Sequence, residues 1–212
     1  MGRSAETIYS NLDEAARSTA RQLFLRLVTL GEGTEDTRRR VLREELESLL
    51  TVKGQLSTVI EPFGKARLLS FDRDPITRGA TVEVAHEALL REWIHLREWL
   101  IESRSDVRIQ RQLNDAMHEW NAAERDISFL ITGSRLDIFE HWNSNATIVL
   151  TEDESAFLTT SLGARDQREA EEQARRKREL RDAKRLRQRA VFLSVALILA
   201  IAFAGTATIG SW

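Results

Sequence analysis

Large apolar residues recur along this chain mostly at helical spacing, with a few short exceptions. Leu23, Leu27 and Leu30 follow one another at intervals of four and three, which predicts an amphipathic helix over residues 11–30, stopped by Gly31-Glu32-Gly33. Residues 38–42 suit a short extended piece and residues 43–50 a short helix. Leu56, Val59, Ile60 and Phe63 mark a third helix. Residues 68–71 and 81–85 read as strands on either side of Asp72-Arg73-Asp74-Pro75-Ile76-Thr77-Arg78-Gly79, whose Asp, Pro and Gly are the turn residues of a hairpin with a long tip. Helix, short strand, helix, helix, hairpin is the order of a winged helix.

Residues 87–149 return to helical spacing. Trp93, Leu96, Trp99 and Leu100 fall on one face, and Leu113, Met117 and Trp120 on another helix for which Ser105 is the expected N-cap. Leu136, Phe139 and Trp142 give a short helix ended by Asn143-Ser144-Asn145. Tryptophans at such spacings belong to a core, so this stretch predicts an antiparallel helical unit. Thr151-Glu152-Asp153-Glu154 has the T-x-x-E form of a capping box and opens a further helix carrying Ala156, Phe157 and Leu158. From Arg165 onward the residues are almost wholly charged or alanine, with Leu180 and Leu186 the large apolar exceptions before residue 190. Such a stretch cannot line a core. It reads as an exposed stalk helix with a break at Gly163, or as half of a poor coiled coil.

Residues 190–210 contain no charge. As a helix they would be about 31 Å long, close to the ~30 Å hydrocarbon core of a bilayer, so the pattern predicts a transmembrane helix. The expected architecture is mainly α: a winged-helix domain with a small β-hairpin wing over residues 1–101, a helical arm over 102–164, a basic stalk helix over 165–189 and one transmembrane helix over 190–210.

Charge sharpens this division. The 212 residues carry 31 Lys and Arg against 33 Asp and Glu, a net charge of −2. The balance hides a segregation: Arg175, Arg176, Lys177, Arg178, Arg181, Lys184, Arg185, Arg187 and Arg189 face only two acidic neighbours in that stretch, which leaves the first 174 residues at −9. Basic residues flanking an apolar span remain on the cytoplasmic side and attract anionic headgroups. The expectation is therefore a single-pass inner-membrane protein with its N-terminal portion cytoplasmic and anionic lipids as partners. A rival reading is a membrane-tethered winged-helix transcription regulator with residues 56–67 as recognition helix. That helix offers Lys65 and Arg67 beside Glu61, with Lys53 just ahead, too little positive charge on an acidic domain for strong nucleic-acid binding.

The candidate chemistry is sparse. With no cysteine there is neither a disulfide, nor a thiolate metal site, nor a cysteine nucleophile. No Walker A motif is present: Gly64-Lys65 is followed by Ala66, and Val59 stands where its first glycine would be. Gly31-x-Gly33 has Asp36 in place of a third glycine, and His86-Glu87 lacks the second zincin histidine because residue 90 is Leu90. His95, His118 and His141 have no ligand spacing among them. No metal site or catalytic residue is expected.

Residues 23–40 (LFLRLVTLGEGTEDTRRR) and 82–93 (VEVAHEALLREW) resemble the region that follows the nucleotide-binding module in bacterial STAND signalling NTPases, specifically the group called novel STAND NTPase 1. The resemblance continues through RDISFLITGSRL and the charged stalk, and covers nearly the whole chain. It implies a P-loop module that binds and hydrolyses ATP and WD40 repeats beyond the apolar helix, both outside this sequence. The chain would then be a membrane-anchored regulatory fragment or degenerate member, without catalytic machinery of its own, and handling ATP or ADP only when joined to the P-loop module; a homo-oligomer is among the expected partnerships. His86-Glu87-Ala88-Leu89-Leu90 is similar to the His-Asp-Leu motif in the winged helix of plant NLR receptors, where the histidine contacts the β-phosphate of ADP and holds the closed state. By that resemblance His86 and Glu87 are nucleotide-sensing residues. An imidazole at a helix N-terminus can help bind an anion, or His86 caps its own helix; Glu87 is placed to support the helix electrostatically.

Overall fold

The computed structural model describes residues 1–31, 33–49 and 55–209, with side chains through 189 and at Phe192. Mainly helical with small antiparallel sheets, it falls into two compact units, Met1–Ser161 and Leu162–Trp212. Glu32, Leu50, Lys53 and Gly210, on which sequence expectations fall, lie outside the described residues.

The first unit opens on α1 (Gly2–Ser10) and α2 (Glu14–Arg26) rather than on one helix over 11–30. Asp13 explains the division, because its carboxylate accepts the Ala16 backbone N–H at 2.8 Å and starts a new helix. Leu27 ends α2, and the chain passes into β1 (Val28–Thr29), which pairs antiparallel with β2 (Thr37–Arg38) in the register Val28 to Arg38. β3 (Val41–Leu42), α3 (Arg43–Glu47) and α4 (Gln55–Lys65) follow. On α4, Leu56, Val59, Ile60 and Phe63 are all buried, as their spacing predicts.

The hairpin is β4 (Leu69–Arg73) and β5 (Ala80–Val84), running in register from Leu69 opposite Val84 to Arg73 opposite Ala80. β3 adds to the free side of β5 and completes a three-stranded antiparallel sheet. Its tip is held by Asp74, whose Oδ1 accepts from the Ile76 and Thr77 N–H groups and from the Thr77 hydroxyl. Arg78 takes the left-handed conformation that closes such a turn.

Expected as one helix, residues 88–102 are two, α5 (Ala88–Glu92) and α6 (Ile94–Glu102), divided at Trp93 by an extended backbone (φ −88°, ψ 111°). The break places the fully buried indole of Trp93 at the centre of the core. It meets Phe24 at 4.8 Å, Trp99 at 5.3 Å and Phe63 at 5.6 Å, and its Nε1 donates to Glu6 of α1. The edge-to-face pairs with Phe24 and Trp99 each contribute about 0.5–1.5 kcal/mol beyond burial, and with the Phe63 and Glu6 contacts helices α1, α2, α4 and α6 are joined through one side chain.

α7 (Arg104–Ala122) begins one residue before the expected cap: Ser103, not Ser105, is the N-cap, and its side chain makes no capping bond. After a 3-10 turn (Ile127–Phe129) comes α8 (Gly133–Asn143), with Leu136, Phe139 and Trp142 buried as expected. α9 (Glu152–Ile209) starts at the expected capping box and runs through Gly163 without a break. Within the first unit its Phe157 lies 5.2 Å from Trp120 of α7.

The second unit begins at Leu162. Among the described residues no helix is long and apolar enough to cross a membrane. This overturns the expected transmembrane helix at residues 190–210, and with it the single-pass inner-membrane placement and the cytoplasmic assignment of the N-terminal portion. Residues 175–189 of α9 are exposed and dominated by Arg and Lys, so this stretch offers no apolar surface to a bilayer.

Candidate functional site

His86 lies between the end of β5 and the start of α5, where the resemblance expects a nucleotide sensor. Its ring is exposed and makes no hydrogen bond or ion pair among the described residues, while its carbonyl accepts the Leu89 N–H at 2.9 Å. It does not cap α5. Glu87 is the N-cap residue, also exposed, and its side chain makes no capping bond either, so the expected electrostatic support from Glu87 is not a hydrogen-bonded cap. The flank is basic: Arg38 Nη1 donates to the Ala85 carbonyl at 3.2 Å, one residue before His86. Glu83 tempers that charge, standing 3.9 Å from Arg38 and 3.4 Å from Arg40.

The nine basic residues expected to flank a membrane are brought to no common site. All are exposed along α9, and two of them form pairs along the helix, Arg175 with Glu179 at 3.0 Å and Arg176 with Glu172 at 3.6 Å.

The most organised polar constellation is one that sequence spacing does not show. Arg26, on the buried face of α2, has 1% of its side chain exposed and grips Glu154 through both terminal nitrogens, at 2.8 and 3.0 Å. Glu154 is fully buried. Besides Arg26 it accepts hydrogen bonds from Gln110 (2.6 Å) and Asn114 (3.0 Å) of α7 and from the Thr151 backbone (2.8 Å). The last contact belongs to the expected capping box, whose other half is the Glu154 N–H donating to the Thr151 hydroxyl at 3.1 Å. Arg26 also donates to the Val149 carbonyl and stands 3.5 Å from Glu45 of α3.

Burial alone would raise the pKa of Glu154, but the Arg26 hydrogen bonds and charge, with those from Thr151 and Gln110, outweigh it and hold the carboxyl below its ordinary value. An ionised carboxylate is thus kept at the junction of α2, α3, α7 and α9. Arg26 and Glu154 are 128 positions apart, so no local motif links them. The available sign was an arginine on the face that also carries Leu23 and Thr19, since a cation in a buried stripe calls for a partner.

The arrangement is a small antiparallel sheet, an exposed imidazole at its edge, and a buried ion pair that locks α2 to α9. The sequence model of the family described as Novel STAND NTPase 1 matches residues 1–128, and the chain belongs to that family. The match spans both stretches that carry the resemblance, from the first helices through the hairpin and α7. No curated protein and no solved structure matches it.

Proposed function

We propose that this chain supplies the nucleotide-responsive regulatory segment of a STAND signal-transduction NTPase. In this reading residues 1–101 are a winged helix, residues 102–164 a helical arm and residues 165–189 a basic stalk, while the P-loop module and WD40 sensor are contributed from outside residues 1–212. Family membership supports the class of protein. The order α2, β3, α3, α4, β4, β5 supports the winged helix, with the hairpin as its wing.

The observation that carries the proposal is the exposed ring of His86 at the junction of wing and helix. A sensor for a nucleotide held by another module must present its donor outward, and neither the core nor a helix cap competes for this imidazole. Arg38 at the same edge would add positive potential toward a phosphate. ADP, on this account, is contacted across an interface between modules and not enclosed by this chain.

Without a glycine-rich loop to cradle phosphates, the full chain by itself is expected neither to hydrolyse ATP nor to hold it tightly. Calorimetry with ATP and ADP, together with a phosphate-release assay, checks this. Dissociation constants weaker than micromolar and no release above background are the expected results; a sub-micromolar constant or sustained turnover would place a complete nucleotide site in this chain and defeat the reading.

A further inference from the structure

A cavity of about 390 Å³ lies between the end of β1 and α7. Its walls carry three guanidinium groups, from Arg39 just after β2 and from Arg108 and Arg111 one turn apart on α7, with Asp115 as the one carboxylate among them. Arg39 is fixed, donating to Glu45 at 3.3 Å and to Asn114 at 3.2 Å. Arg111 donates through Nη2 to the Val28 carbonyl at 2.8 Å, but its Nη1 is buried and has no acceptor. Arg108 is exposed and makes no hydrogen bond or ion pair among the described residues.

Positive charge is in surplus here. Arg26, Arg39, Arg108 and Arg111 face three carboxylates, Glu45, Glu154 and Asp115, and Glu154 is already satisfied by Arg26 and its hydrogen-bond donors. The strain registers on Arg111, whose pKa is pushed down to about 10 by burial first and by the neighbouring Arg39 charge second. It remains charged at neutral pH, with its Nη1 unsatisfied. A buried unpaired donor on a cation is costly, and an anion in the cavity would offset the charge that Arg108 and Arg111 bring to its wall.

We propose that this cavity binds the phosphate group of a small phosphorylated molecule. The exposed, unpaired fork of Arg108, with the Arg39 and Arg111 charges beside it, suits a phosphate monoester better than a singly charged carboxylate, and the phosphate charge of about −1.5 to −2 at neutral pH offsets the surplus. The volume falls in the range of small-molecule sites, about 300–1,000 Å³. Leu30 and Val107 give the wall an apolar part for a carbon skeleton. The site needs no P-loop and does not involve His86, so it stands apart from the nucleotide-sensing reading.

The test uses the full chain at constant ionic strength, titrated with inorganic phosphate and pyrophosphate, with acetate and chloride as controls, by thermal melting and calorimetry. Saturable binding of phosphate or pyrophosphate with a melting temperature raised by about 2–4 °C is expected. Arg108→Gln and Arg111→Gln should each weaken it about tenfold or more, and Asp115→Asn should tighten it. Arg108 is exposed and unpaired, so its replacement leaves the fold intact and keeps the test decisive even if Arg111→Gln is unstable. An equal response to acetate or chloride, or unchanged phosphate binding in Arg108→Gln, overturns the proposal.

Discussion

Glu154→Ala is expected to cost the full chain about 3–5 kcal/mol of stability, because it strands a buried arginine without its counter-charge. In a domain of this size that is a fall of about 10 °C in melting temperature. Arg26 has no route to water, with 1% of its side chain exposed, and Gln110 and Asn114 lose the same acceptor at once. Arg26→Met combined with Glu154→Leu removes both charges and should recover part of the loss, since a buried ion pair contributes little net stability over apolar residues of similar volume. Glu154 also imposes a pH dependence. Its folded pKa lies below the unfolded value, so its contribution is complete above the ordinary glutamate range near 4.5 and fades as the pH falls through the lowered folded value. Thermal unfolding followed by circular dichroism measures all three effects. A loss under about 1 kcal/mol in Glu154→Ala would mean that Arg26 finds another partner and that this pair does not hold the helices together.

Much of the fold was legible because local signals agreed with it. The spacing of Leu56, Val59, Ile60 and Phe63 fixed the buried face of α4, and the turn residues around Pro75 placed the hairpin within a residue or two. Thr151 and Glu154 announced the start of α9 through their capping box. What escaped was set by tertiary contact. Helix α1 is short and has a single buried residue, Ala5; Glu6 holds it in place by accepting from Trp93 and His95. The break at Trp93 has no glycine or proline to announce it, because the packing of the indole against Phe24 and Phe63 sets the backbone there. Gly163 failed as a stop signal because α9 meets no steric demand for a left-handed residue at that point.

The candidate site was legible to a different degree. His86 and Glu87 were located correctly between strand and helix, but their exposure could not be read from the sequence, and the capping roles considered for them are not made. Arg26 of α2 and Gln110 and Asn114 of α7 acquire meaning only once the fold brings them around Glu154. The apolar run at residues 190–210 shows the opposite failure. Its composition gave the strongest single signal in the chain, yet no helix among the described residues qualifies as a span.

His86→Ala carries the second large expected effect. If the imidazole contacts the phosphate of ADP bound by a P-loop module, its removal deletes a charge-assisted hydrogen bond of about 1.5–3 kcal/mol, a weakening of ADP by about 10- to 100-fold. The closed, ADP-bound state would lose that same stabilisation, and signalling output should rise. Stability should not change, since the ring is exposed and makes no hydrogen bond among the described residues; a structural histidine would give the reverse pattern, with a lower melting temperature and unaltered ADP binding. The deciding measurement is the ADP dissociation constant of this chain joined to a STAND P-loop module, compared between wild type and His86→Ala by calorimetry. A constant at least tenfold weaker in the variant, at an unchanged melting temperature, is the result this account predicts, and equal constants would contradict it.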